Sequence, residues 1–477
     1  MRREMACGDG DEPRRLTAQR FLLQSLQLKP DLSPKSWEAG RVPCFPSAGY
    51  WGRDVEGYPD EPGALEAPDQ DAAVAEARRA TSEPLLVAGS QVSSGTRGLD
   101  RPAGMPLRGA ALPHLPVGSN AATARAMTRP PPSDVYGALD LGTNNCRLLL
   151  ARPSRRGFRV VDAFSRIIRL GEGVSQSGEL SEPAIQRTIE ALRVCALKIE
   201  RNRVARSRLV ATEACRIARN GAEFLDRVER ELGLKLEMLS RHDEARLAVA
   251  GCASLIDPAS EFALVFDIGG GSSELVWLDL TKRAQPWRPP FASRAEADAA
   301  MMAWTSLPVG VVTLAETFGG RDVTPDVFEA MVAHVTAMLE PFEAKNAITR
   351  RISGRKVHLL GTSGTVTTVA GIQLGLPRYD RAQVDGCWMK VKDAQAVSYD
   401  LLARTFEQRV AEPCIGRDRA DLVLAGCAIL EALLRQWPCE NLRVADRGLR
   451  EGILTTLMSE DGVYRPNRRR RQGRPQA

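Results

Sequence analysis

Two short stretches of the chain carry the same arrangement of residues able to do chemistry. Asp140-Leu141-Gly142-Thr143-Asn144-Asn145-Cys146-Arg147 and Asp267-Ile268-Gly269-Gly270-Gly271-Ser272-Ser273-Glu274 each place an aspartate at the end of an apolar run. A glycine follows two residues on, and small polar residues precede the next apolar run. Turns of this composition let backbone N–H groups close on an anion, because nothing bulky blocks the approach. Gly142, Thr143, Asn144 and Asn145 in one turn, and Gly269, Gly270, Gly271 and Ser272 in the other, are therefore candidate phosphate-binding residues. Asp140, Asp267 and Glu274 supply oxygen donors suited to a hard divalent cation. An Asp-x-Gly turn on its own is more often a plain strand-ending hairpin, so the weight lies in the repetition.

Two further pairs of turns line up in the same order. Leu209-Val210-Ala211-Thr212-Glu213-Ala214 parallels Leu359-Leu360-Gly361-Thr362-Ser363-Gly364. Ser240-Arg241-His242-Asp243-Glu244-Ala245-Arg246 parallels Ala445-Asp446-Arg447-Gly448-Leu449-Arg450-Glu451. Each reads as a strand entering a helix, whose N-terminus offers the positive end of its dipole.

The elements that must hold these turns repeat as well. Apolar patterning predicts strands over Val135–Leu141, Asn145–Arg152 and Phe158–Leu170. Pro183, just after Ser181, opens an amphipathic helix to about Asn202. A strand over Ser207–Thr212, a helix, a strand over Leu234–Ser240 and a helix through Leu255 complete the first half. The second half runs through strands at Phe262–Ile268, Ser272–Leu280 and Thr305–Val309. Helix Pro325–Ala344, strand Val357–Leu360, another helix, helix Ile415–Gln436, strand Leu442–Ala445 and helix Leu449–Met458 follow. This internal duplication predicts two α/β sheets facing each other across a cleft, with the paired turns beyond the carboxyl ends of the strands, where ligands gather. The halves are read as 134–257 and 258–460, the last helix free to pack back on the first half.

Composition narrows the classes. A chain of 477 residues, 43% hydrophobic and 26% charged, can fill two or three cores. No apolar run approaches the ~18–20 residues of a membrane span, and the start, Met1 to Cys7, leads into charged residues rather than a signal-peptide core. The ten cysteines are scattered without a CxxC pair, which argues against zinc or a disulfide framework and for a reducing cytoplasm. Cys195, Cys252 and Cys427 fall within helical apolar patterns and read as small core residues. Four histidines and 5% aromatic residues offer no base-stacking platform, so the expected partners include neither nucleic acid nor a membrane. Residues 1–133 are rich in Gly, Pro, Ala, Arg and acids and lack periodicity. They read as a disordered extension or as a misassigned start, with Met105 or Met127 the true one; the second reading is favoured. Part of the net charge of +6 lies in Arg468–Arg471 and Arg474, so 461–477 is read as a basic disordered tail.

Over about residues 134 to 458 the motifs resemble those of the exopolyphosphatase/guanosine pentaphosphate phosphohydrolase (Ppx/GppA) family, in the actin-like ATPase superfamily. Asp140–Arg147 is similar to that family's first phosphate motif, with Thr143 and Asn145 where serine is more usual. Asp267–Glu274 is a near-complete counterpart of the second. Arg169-Leu170-Gly171-Glu172-Gly173 resembles the loop after the third strand, and Ala211-Thr212-Glu213-Ala214-Cys215-Arg216 the Ala-Thr-x-Ala-x-Arg element. Glu244-Ala245-Arg246 is similar to the Glu-Ala-Arg signature, with Asp243 where a glutamate often precedes. Gly361–Thr365 and Asp446–Gly452 fit too. The chain stops soon after Met458, short of the helical C-terminal domain of long members, and Trp287–Met302 reads as an inserted loop with no assigned role.

The resemblance implies a duplicated ribonuclease H-like (actin-like ATPase) two-domain α/β fold with an interdomain cleft. It further implies a magnesium-assisted hydrolase releasing terminal phosphate from inorganic polyphosphate or guanosine pentaphosphate, acting alone or as a homodimer. Glu244 then deprotonates the attacking water, Arg216 clamps a phosphate oxygen, and Asp140, Asp267 and Glu274 hold Mg2+ directly or through water. Arg166 and Arg169 would line the path of the remaining polyanion. Two other readings stay open: an ATP-dependent kinase or ATPase of the same fold, with Gly361–Thr365 on adenosine, and an inactive nucleotide or polyphosphate sensor.

Overall fold

A computed structural model describes residues 134–154, 157–282 and 298–463. The readings for residues 1–133, for the arginines from 468 on and for residues 287–297 of the inserted loop lie outside that range.

The first half builds a mixed sheet from β1 (Tyr136–Leu141), β2 (Asn145–Ser154), β3 (Gly157–Ile167), β4 (Arg206–Ala211) and β5 (Glu237–Met238). Its order is β3-β2-β1-β4-β5, with β1 antiparallel to β2 and parallel to β4. The second half uses β6 (Phe262–Ile268), β7 (Ser273–Asp279), β8 (Met301–Leu307), β9 (Val357–Thr362), β10 (Trp388–Lys390) and β11 (Asn441–Ala445). Its order is β10-β11-β9-β6-β7-β8. Without the edge strand β10, both sheets follow one plan: three antiparallel strands, then two parallel ones on the other side of the first. The duplication expected from the turns is therefore a duplication of topology. The central strands β1 and β6 are covered on both faces, which is why they read as continuous apolar runs rather than alternations.

The main helices are α1 (Glu182–Arg201), α2 (Glu213–Ile217), α3 (Gly221–Leu232), α4 (Arg241–Cys252), α5 (Val311–Phe318), α6 (Pro325–Asn346), α7 (Gly364–Gln373), α8 (Val391–Ala403), α9 (Val423–Gln436) and α10 (Leu449–Glu460). The Ser181 hydroxyl caps α1 by accepting from Ala184 N, with Pro183 in the first turn. The helix then buries Ala184, Ile185, Ile189, Leu192 and Cys195 against the first sheet. On the second sheet, α6, α7 and α9 cover the face that carries Phe262, Leu264, Phe266 and Trp277.

The last helix of each half leaves its own sheet. From the end of the first half, α4 lays Ala245, Val249 and Cys252 against Ala263, Val265, Val276 and Leu278 of the second sheet. From the end of the second half, α10 lays Ile453, Leu454, Leu457 and Met458 against Tyr136, Ala138, Leu149 and Val210 of the first. Where they cross, the backbones touch. A Cβ on Gly251 would stand 1.9 Å from the Gly448 carbonyl oxygen, and one on Gly452 would stand 2.0 Å from that of Leu247. Arg206 of β4 pins the end of α10 through Glu460 and Asp461, a cation where the helix dipole favours one.

Three elements differ from the sequence reading. The strand expected over Thr305–Val309 begins earlier, at Met301, so the last residues of the expected inserted loop belong to β8. The strand expected over Leu234–Ser240 pairs only at Glu237–Met238. The helix expected from Ile415 begins at Val423, because Gly416 takes φ 72 and the chain turns through 417–422 instead. Helices α5 and α8 and strand β10 add to the elements that apolar patterning marks. Among the described residues, no helix is long and apolar enough to cross a membrane.

Candidate active site

The two phosphate-type turns are built alike. Gly142 N donates to Asn145 O at 2.9 Å, and Gly269 N donates to Ser272 O at 2.9 Å. The carbonyls of Gly269 and Gly270 are taken by Val311 N and Val312 N at the start of α5. Across the cleft the turns touch: a Cβ on Gly270 would lie 2.9 Å from Thr143 Cβ, and one on Gly271 would lie 2.8 Å from Thr143 Oγ1. Glycine is needed there for close approach rather than for its backbone angles.

All the phosphate-turn candidates line a single pocket, together with Asp140, Asp267, Glu274 and Glu244. Ser363, Gly364, Thr365 and Thr368 from the start of α7 line it too, so a helix N-terminus faces the same space. Asn144 Oδ1, Asn145 Oδ1 and Ser363 Oγ are buried there without a hydrogen-bond partner among the described residues. Ser363 also holds φ 116, a conformation rare for a side-chain-bearing residue. Unpaired buried polar groups and local backbone strain are both costly and gather where a ligand is received.

The acids are arranged by register. Asp267 stands opposite Glu274 on β7, as Asp140 stands opposite Arg147 on β2. Burial raises Asp140 above its ordinary range, with Arg147 pulling the other way. Burial and the nearby Asp140 carry Asp267 up to about 6. Burial and Asp267 carry Glu274 up to about 7, although its Oε1 accepts from the Ser272 and Ser306 hydroxyls, each at 2.8 Å. Among the described residues no three His, Cys, Asp or Glu side chains converge as a metal cage. The donors nevertheless fit an ion such as magnesium, which takes one or two carboxylates and keeps water or substrate oxygens for its other positions.

Glu244 lies in the first turn of α4, whose N-cap Ser240 accepts from Asp243 N. Burial, then Glu274, pushes its carboxyl well above the usual range, while Arg216 draws it back. Arg216 Nη2 donates to Glu244 Oε2 at 2.6 Å. The other two nitrogens of Arg216 are also engaged: Nη1 donates to Glu213, and Nε donates to Leu239 O at 3.1 Å. Arg216, expected on a phosphate oxygen, thus grips two glutamates in this structure. Glu213 is held from its other side by Arg241 Nη2 at 2.6 Å.

Arg147 and Arg419 line the pocket, and the sequence reading gives neither a role. The duplication contains a signal for Arg147, which occupies the position of Glu274 in the other hairpin. Arg419 carries none, because its segment reads as helix. Arg169 is bound to Asp421 at 2.9 Å, and Arg166 is exposed beside the Phe164 ring.

Known proteins agree with this architecture. A model of the Ppx/GppA phosphatase family matches residues 150–461. A guanosine-5'-triphosphate,3'-diphosphate pyrophosphatase of Photobacterium profundum is 28% identical over 335 residues, covering 70% of this chain and 61% of the relative. The chain therefore spans about three fifths of the length of the curated relatives it matches. The crystal structure of the Aquifex aeolicus Ppx/GppA family member is 28% identical, with a TM-score of 0.55, covering 69% of this chain and 98% of that one. An exopolyphosphatase from Cytophaga hutchinsonii, 22% identical with a TM-score of 0.59 and covering 69% of this chain and 98% of its own, shares the fold. With two sheets of one topology, paired phosphate-type turns and a family match over most of its described length, this chain belongs to the Ppx/GppA phosphatase family.

Proposed function

We propose that the chain is a phosphohydrolase that releases terminal phosphate from guanosine pentaphosphate or inorganic polyphosphate. One observation carries this reading: Glu244, its carboxyl raised by burial and steered by Arg216, shares a pocket with both phosphate-type turns. The family's description supports a phosphatase, and the name of the Photobacterium relative supports a guanosine pentaphosphate substrate.

In this reading the turns at 142–145 and 269–272 hold the terminal phosphates through backbone N–H groups, and Arg147 and Arg419 neutralise their charge. Glu244 takes a proton from a water placed in line with the terminal phosphorus. The new P–O bond forms as the anhydride P–O bond breaks, and the shortened chain leaves with its oxygen. Asp140, Asp267 and Glu274 would hold magnesium, directly or through water; such an ion would supply charge neutralisation at the phosphoanhydride oxygens.

Glu244→Gln tests the assignment. It keeps size and much of the hydrogen bonding but cannot take the proton, so kcat should fall ~10²–10⁴-fold with substrate binding retained. Asp267→Asn should instead raise the magnesium concentration needed for activity. Near-wild-type kcat in Glu244→Gln would sink the assignment. A second reading, an ATP-dependent kinase or ATPase, draws on the α7 N-terminus in the same pocket. Phosphate release from polyphosphate and guanosine pentaphosphate, measured beside turnover of ATP plus a sugar, separates the two.

A further inference from the structure

The two halves meet again through a set of contacts that the chemistry above does not use. Arg169 of the first half forks onto Asp421 of the second, Nη1 to Oδ2 at 2.9 Å and Nη2 to Oδ1 at 3.1 Å, with Nη2 also 3.2 Å from Asp418 O. Beside it, Glu316 of α5 accepts from Gly173 N at 2.7 Å and from the Ser175 hydroxyl.

Both ends of these contacts are wired to the pocket. Ile168 N and Arg169 N donate to Asn144 O at 2.9 and 3.1 Å, and Gly171 N donates to Thr143 O at 2.9 Å. The backbone that carries Arg169 is thus bonded to the first phosphate turn. On the other side, Asp421 stands two residues from Arg419 and next to Leu422, both of which line the pocket. The helix bearing Glu316 begins on the carbonyls of Gly269 and Gly270 in the second turn. Arg169 itself holds φ 47, the left-handed conformation that costs a side-chain-bearing residue free energy and persists only where its surroundings impose it.

We propose that Arg169 and Asp421, with Glu316, form a clasp that draws the two phosphate turns and the Arg419 segment together around the substrate. Arg169 is then a positioning residue and not a substrate ligand. The bidentate geometry gives the clasp direction, and its partial exposure lets it part for substrate entry and product release. The kinetic arm of the test rests on the phosphohydrolase reading; the structural arm does not.

The test compares full-length Arg169→Ala, Asp421→Asn, the combination of both, and the charge exchange Arg169→Asp with Asp421→Arg. Hydrogen exchange is followed at the Gly173 amide, which is bonded across the cleft, and kcat and KM are measured with tripolyphosphate and magnesium. Each single variant should speed Gly173 exchange and raise KM by about three- to fivefold, with kcat nearly unchanged. The combined variant should be no worse than either alone, and the charge exchange should recover part of both losses. Unchanged Gly173 exchange in both single variants overturns the clasp, whether or not the chain hydrolyses phosphoanhydrides. A lower KM in Asp421→Asn beside a higher one in Arg169→Ala also overturns it, because a freed Arg169 would then be binding substrate.

Discussion

At the scale of single side chains, the proposed chemistry depends on how Glu244 is held. Arg216 both orients it and favours its charged form. Removing that cation raises the carboxyl further, and a base works only when deprotonated. In Arg216→Ala the acid limb of the kcat/KM profile should therefore move to higher pH, so activity falls more on the acid side of the profile than on its alkaline side. At neutral pH the loss should be about 10²-fold, the cost of a misplaced catalytic group. Arg216→Lys should recover part of the pH shift but less of the rate, because one ammonium cannot span Glu213, Glu244 and Leu239 O. A pH–rate profile that keeps its acid limb in Arg216→Ala would show that Arg216 does not govern Glu244.

At the scale of elements, the start of α10 carries a buried charge with a measurable signature. Glu451 accepts from Gly448 N at 2.9 Å and from Arg381 Nη2 at 3.1 Å. Burial opposes its ionisation, but Arg450, Arg381 and the Gly448 N–H outweigh it and hold its pKa at about 2, against an ordinary 4.5. A depressed folded-state value contributes stability that is present above pH 4.5 and lost as pH falls through about 2. At about 1.4 kcal/mol per tenfold change in proton affinity, the contribution is about 3 kcal/mol. Glu451→Gln should lose stability of that order at neutral pH, and its difference from the parent should shrink as pH drops from 4.5 toward 2. Denaturant unfolding across that range measures it, and a constant difference would contradict the linkage.

At the scale of the whole molecule, the two halves are joined where α4 and α10 cross. Gly452→Ala gains up to about 1 kcal/mol of helix propensity. Its Cβ, however, would stand 2.0 Å from a backbone oxygen that cannot rotate away, and such overpacking typically costs about 1–3 kcal/mol. The clash should win and lower Tm by several degrees. KM should rise as well, because parting the helices parts Thr143 from Gly270. An unchanged Tm in both Gly452→Ala and Gly251→Ala would show that the crossing tolerates separation.

Much of this was legible in the residues themselves. Local patterns marked the central strands, the Ser181 and Pro183 helix start and the paired turns, because backbone pairing and capping depend on neighbours in sequence. Repetition of those patterns carried the duplicated topology. What a side chain meets in the folded chain depends instead on residues distant in sequence. Sequence suggests a phosphate contact for Arg216, and folding adds what it could not show, the Glu244 and Leu239 O partners beside it. Arg169 reads as a polyanion contact until Asp421 arrives from the other half. Arg419 sits in a stretch patterned as helix, and only the turn at Gly416 brings it to the pocket. Residue types and spacing thus determined the family resemblance and the candidate chemistry, while tertiary structure decided which charges pair, because that choice is made by distance in space rather than along the chain.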